Sequence, residues 1–161
     1  MALATLRTMT TLRRYRHIVE AGLLIIAVRV GLRIMSLSRL LTWLHARMSP
    51  RAPDLITVEQ LAYYTDRWLT MFPYNAKGSC FPRALTLYRL ARHHGFPVRF
   101  HCGVAKTGET LDGHAWLTLA GKPFLEPANQ WQHFTVTFSF PPLSEAQASI
   151  ANRDSHLLLR R

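Results

Sequence analysis

A cysteine, a histidine and a carboxylate in this chain suit one another chemically. Cys80 opens a segment, Cys80 to about His94, whose apolar residues Leu85, Leu87, Tyr88, Leu90 and Ala91 recur at helical spacing. Pro82 fits the first turn, where its missing N–H has no helical partner, and Gly95 and Pro97 close the segment. A thiol at a helix start meets unpaired N–H groups and the positive end of the helix dipole, which stabilise a nucleophilic thiolate. His114 begins the word HAWLTL, and Glu126 ends a short segment beyond the turn Ala120–Gly121–Lys122. Pairing through that turn puts the start of one strand beside the end of the next, and so His114 beside Glu126. A carboxylate there holds an imidazole in one tautomer and stabilises its charged form. The three residues form a nucleophile, a base and an orienting acid.

Each of the three also has a plain structural reading. A lone cysteine is commonly a buried apolar residue, and Cys102 reads so because it alternates in step with Val98, Phe100 and Val104. Eight histidines make one near a cysteine unremarkable, and Glu126 also reads as a surface carboxylate. With two cysteines and no CxxC, free thiols are expected. His93, His94 and His101 are not at metal-ligand spacing, so neither metal nor cofactor is expected.

The elements that position these residues follow from periodicity. Residues 16–48 lack proline and predict helix with a break near Ser36–Ser38, Ile26, Val30 and Leu41 on its apolar side, and Arg29 and Arg33 on a solvated face. The breaker cluster at 49–53 separates an N-terminal basic, hydrophobic helical region (1–53) from a second region (54–161), within one compact unit. Thr57 is the expected N-cap of a helix from Val58 to about Met71, followed by a loop over 74–79. Arg83, Arg89 and Arg92 are expected to point away from the apolar side of the next helix. A period of two marks strands from Val98 to Val104 and from His114 to Leu119, with a polar turn region, Lys106 to Gly113, between them. Further strands are expected over Pro123–Glu126 and Phe134–Phe140. Helices first and an antiparallel hairpin sheet afterwards give an α+β class.

Charge narrows the function classes. The 161 residues carry a formal net charge of +11, of which residues 1–53, with nine Arg and one acid (Glu20), hold +8. The basic residues there sit among Leu and Ile and not among exposed aromatics, which argues against nucleic acid. The apolar run Leu23–Val28 is far shorter than the roughly 20 residues needed to span a bilayer, and no cleavable signal stands out. The expected location is cytoplasmic, and contact of residues 16–48 with a membrane surface or a partner stays open.

The words SCFPRALTLYRLARHHGFPVRFHCGVAK and LDGHAWLTLAGKPFLEP resemble the transglutaminase-like cysteine protease superfamily, and within it the bacterial leader peptidases of lasso-peptide biosynthesis. The resemblance spans about residues 58–127. It is carried by Cys80, Pro82 and Arg83, then Arg92, Gly95 and Pro97, then Gly103 and Val104, then His114, Ala115, Trp116, Gly121 and Glu126. It implies a transglutaminase/papain-like core, with Cys80 as nucleophile, His114 as base and Glu126 as orienting acid. It further implies a cysteine peptidase that removes the leader from a ribosomally made precursor, a separate winged-helix-like leader-recognition protein, and an ATP-using lasso cyclase. Acyl transfer to an amine, as in transglutaminases, and a non-catalytic module binding a membrane or partner are the competing readings.

Overall fold

The computed structural model describes residues 2–45, 52–71, 78–108, 110–126 and 130–142. Helices α1 (Ala2–Ile34), α2 (Leu37–Leu44), α3 (Leu55–Thr70) and α4 (Cys80–His93) precede a sheet of β1 (Arg99–Thr107), β2 (Thr110–Leu119), β3 (Lys122–Pro123) and β4 (Thr135–Phe140). The strands are antiparallel in the order β3-β2-β1-β4. The fold is α+β.

Local chemistry sets most element ends. The expected break near Ser36 is present: Ser36 is extended and starts α2. α3 begins earlier than predicted, because Asp54 and not Thr57 is its N-cap. The Asp54 carboxylate accepts the Thr57 N–H at 3.1 Å and the Thr57 hydroxyl at 2.6 Å. A carboxylate is favoured there by both capping and the helix dipole. α4 stops at Gly95 (φ 86°), where the Phe96 N–H donates to the Ala91 carbonyl at 3.0 Å. Of the predicted linker, residues 49–51 lie outside the described residues, as do 74–77 of the predicted loop.

Two strand expectations are corrected. The polar stretch 106–113 is largely ladder, with Lys106 opposite Leu111 and Thr107 opposite Thr110. Polar side chains do not end a hairpin whose backbone groups stay paired. β3, conversely, lasts only two residues. Pro123 brings no N–H to a ladder, and Leu125 (φ 56°) turns the chain off the sheet. Glu126 therefore follows a turn and does not end a strand. The Ala120–Gly121 turn has both residues at positive φ, as in a type I′ hairpin turn.

The core lies between α4 and the hairpin. Phe100, Ala115 and Leu117 face Leu85, Tyr88 and Ala91, with Leu40, Leu41 and Leu44 of α2 and Val58 of α3 in the same cluster. α1 packs on α3 at Gly22, where an added Cβ would come within 2.6 Å of the Trp68 ring. That close approach lets Trp68 Nε1 donate to the Ile18 carbonyl at 2.9 Å. The inward residues of α1 are Ala21, Ile25 and Val28; the predicted apolar-side residues Ile26 and Val30 are exposed.

Gly103 is the tightest point of the sheet. Beside a bulge between Cys102 and Gly103, a Cβ there would lie 2.5 Å from the Thr135 carbonyl oxygen and 3.1 Å from the Trp116 ring. Backbone cannot give way as a flexible side chain does, so Gly103→Ala should destabilise by about 1–3 kcal/mol. Gly113→Ala, with its nearest neighbour 4.0 Å away, should change stability by less than about 0.5 kcal/mol. Thermal denaturation of the two variants checks the contrast.

Candidate active site

Cys80 is the first residue of α4. The first helical bond runs from the Arg83 N–H to the Ser79 carbonyl (2.9 Å), and the Ser79 side chain makes no capping bond. The N–H groups of Cys80 and Phe81 thus stand at the helix start without an intrahelical acceptor. Cys80 is half-buried, with Gly78 (φ 75°) close to its sulfur. Both cysteines are free thiols. Burial pushes the Cys102 thiol up; the Thr137 hydroxyl opposes this, and the nearby Cys80 adds to it. Cys102 lies opposite Ala115 across β1–β2, and His114 lies opposite Gly103. The start of α4 therefore sits by Cys102 on the core-facing side of the hairpin, whereas His114 projects from the other side.

His114 projects from β2 on the side of Trp116 and Thr118, opposite to Ala115 and Leu117. Its ring stacks on Trp116 (centroids 5.8 Å apart) and lies against Phe134 (5.1 Å). Its Nε2 is 3.7 Å from Glu126 Oε2. The predicted juxtaposition of His114 and Glu126 is thus present, although the pairing expected to create it is not. β3 pairs only with Thr118 and Leu119 of β2. Glu126 lies along the edge beyond, where its carboxylate accepts the Leu117 backbone N–H. Among the described residues, no hydrogen bond joins Cys80 Sγ to the His114 ring.

Arg83 organises the surroundings. It was expected to point away, yet its side chain is only 16% exposed. Nε and Nη2 donate to the two oxygens of Asp66 on α3 (2.7 and 3.2 Å), Nη2 also to the Leu125 carbonyl (2.8 Å), and Nη1 to Glu126 Oε1 at 3.4 Å. Cys80 and Arg83, three apart, share one face of α4. That spacing was the available sequence signal for Arg83. Asp66 had none, because its partner is 17 residues away on another helix.

The electrostatics follow from this geometry. Glu126 is 5% exposed, and burial raises its carboxyl to about 7; Arg83 and the Leu117 N–H oppose the rise, and Asp66 adds to it. The guanidinium gives its shorter bonds to Asp66 and Leu125, so Glu126 is only partly compensated. Burial lowers the His114 pKa, and Arg83 lowers it further. Near neutral pH the imidazole is consequently neutral and able to act as a base, beside a carboxyl poised to ionise.

On the outer face of the sheet, a cavity of about 760 Å³ is lined by His101, Trp116, Thr118, Trp131 and Phe134 among others. It adjoins His114 through the Trp116 and Phe134 rings. His101 is held between Ser139 Oγ and Thr118 Oγ1, both at 2.8 Å, and burial pushes its pKa down to about 4. The indole N–H of Trp131 is buried without an acceptor among the described residues. Tyr63 is exposed on α3, and no group of three metal-ligating side chains occurs among the described residues.

The family profile described as transglutaminase-like superfamily matches residues 23–139. The chain belongs to that superfamily. The match covers α4, the hairpin and most of β4, and so includes Cys80, His114 and Glu126. No curated protein and no solved structure gives a significant match. Membership agrees with a cysteine-protease or acyltransferase type of fold.

The raised pKa of Glu126 has a consequence for stability. A folded pKa above the ordinary value favours the protonated carboxyl in the fold. That contribution is full below about 4.5 and is lost as pH rises through about 7. Glu126→Gln lacks the titration. Its stability relative to the parent should improve by on the order of 2–3 kcal/mol between about pH 4.5 and pH 8. Denaturant unfolding across that range measures the gap; a gap independent of pH would mean that folding does not raise the Glu126 pKa.

Proposed function

We propose that this chain is a cysteine peptidase that removes the leader from a ribosomally made precursor peptide, as in lasso-peptide maturation. The carrying observation is the His114–Glu126 pair, 3.7 Å apart, with Glu126 held at 3.4 Å by Arg83 on the helical turn that Cys80 begins. The peptidase reading rests on this pair and on superfamily membership. The lasso-peptide part rests on the sequence words around Cys80 and His114.

Glu126 faces Nε2 of His114, which leaves Nδ1 for the thiol. In the proposed reaction Cys80 Sγ gives its proton to Nδ1 and attacks the peptide carbonyl. The tetrahedral oxyanion is met by backbone N–H groups at the start of α4. Ionised Glu126 stabilises the imidazolium, which returns the proton to the leaving amine as the C–N bond breaks. Water, deprotonated by the same imidazole, then releases the leader from the thioester and restores the thiol. The outer cavity, lined by Trp116, Trp131 and Phe134 among others, would hold a substrate side chain. A separate leader-recognition protein would present the precursor, and a lasso cyclase would take the freed core peptide.

Cys80→Ala should abolish cleavage of the cognate precursor supplied with its leader-binding partner; undiminished cleavage would overturn the assignment. Glu126→Gln should lower kcat by roughly 10²–10⁴-fold. In the parent, kcat/KM should fall as pH drops below about 7, as Glu126 is protonated. Mass spectrometry of the products separates free leader from an amine adduct, the mark of acyl transfer.

A further inference from the structure

α1 carries two apolar faces. Ala21, Ile25 and Val28 are fully buried against the body of the protein. On the outer side, Leu12, Leu23 and Ile34 are each eleven residues apart, as are Tyr15 and Ile26, and Val19 and Val30; all are exposed, Leu12 and Ile34 by more than 70%. Leaving so many large side chains in water along one line is costly, at about 25 cal/mol per Å² of apolar surface. A surface helix apolar on both sides has a second surface to bury.

The charges say what covers it. Eleven residues make three turns with a drift of about 20°, so the stripe runs straight along one side of the helix for about 33 Å. Leu12, Val19 and Ile26 are also seven apart, as are Leu23 and Val30, so the spacing admits a helical partner and the charges decide. Exposed Arg16 and Arg33 lie at the margins of the stripe, and Glu20 is the only acid in α1. A second copy of this chain would set these arginines against one another in a parallel pair, and Arg33 near Arg13 and Arg16 in an antiparallel one. An apolar protein groove would bury them unpaired. A flat apolar layer with anionic headgroups at its edge satisfies both features, because arginine stems extend along the apolar phase and place the guanidinium at phosphate. No helix among the described residues is long and apolar enough to cross a membrane.

We infer that the outer face of α1 docks the protein on an anionic lipid bilayer, lying in the interface with Leu23, Ile26 and Val30 in the acyl region and Arg16 and Arg33 at the headgroups. The attachment is independent of catalysis, since none of these side chains belongs to the Cys80–His114–Glu126 site.

Flotation of the full-length chain with vesicles tests this. Vesicles of phosphatidylcholine with phosphatidylglycerol should carry the protein to the top of a gradient at low salt; vesicles of phosphatidylcholine alone should carry about tenfold less. Leu23→Gln/Ile26→Gln/Val30→Gln should reduce partitioning by at least about tenfold, and Arg16→Gln/Arg33→Gln should remove most of the preference for anionic lipid. Circular dichroism keeps the result interpretable, since these exposed positions should leave helicity and melting unchanged. Equal partitioning of parent and triple variant would overturn the inference. So would the absence of lipid binding, whether the parent is monomeric or forms a dimer that the triple variant dissolves.

Discussion

The fold around the candidate site depends on one guanidinium. Arg83, on the first turn of α4, binds Asp66 of α3, the carbonyl of Leu125 and the carboxylate of Glu126. It therefore joins two helices to the segment that leaves the sheet edge after β3. Leu125 needs such an anchor: its positive φ turns the chain away from the ladder, where no strand pairing holds it. Holding the Leu125 carbonyl fixes where Glu126 falls, and hence its distance to His114. A lysine could place a charge there but not this fork of directed donors.

The same guanidinium sets the electrostatic character of the pair. Arg83 is shared, and its nearest acceptor is Asp66, so the buried Glu126 keeps a carboxyl that titrates near neutrality and not in the usual acidic range. His114 is buried against two aromatic rings and stays neutral for the same physical reason, removal from water. A neutral imidazole suits the acceptance of a thiol proton. A carboxylate able to ionise beside it suits stabilisation of the charge that this transfer creates. The outer-face aromatics thus serve the histidine twice, as packing and as desolvation.

The helical part shows a different division of work. Trp68 lies over Gly22 to close the seam between α1 and α3, and α2 turns back so that Leu40, Leu41 and Leu44 join the core. These contacts consume the inner face of α1 and leave the outer one in water. Most of the excess positive charge read from composition belongs to this N-terminal part and not to the half carrying Cys80 and His114.

The class and most elements follow from local patterning, because helical and strand periodicities are properties of neighbouring residues. Cys80 at a helix start, the His114 strand, the Ala120–Gly121 turn and the break near Ser36 were all legible for that reason. The neighbourhood of His114 and Glu126 was legible too, though through a longer β3 than exists; the proline and the turn at Leu125 shortened it. Which faces are covered and which charges meet depends on contacts between elements far apart in the chain. Periodicity groups Ile26 and Val30 on one side of a helix but cannot say whether anything packs there, and both are exposed. Arg83 looked like part of a solvated face because its partners, Asp66 and Glu126, lie 17 and 43 residues away. Those pairings, and the desolvation that sets the titration of Glu126, arise only when α3, α4 and the edge of β2 are brought together.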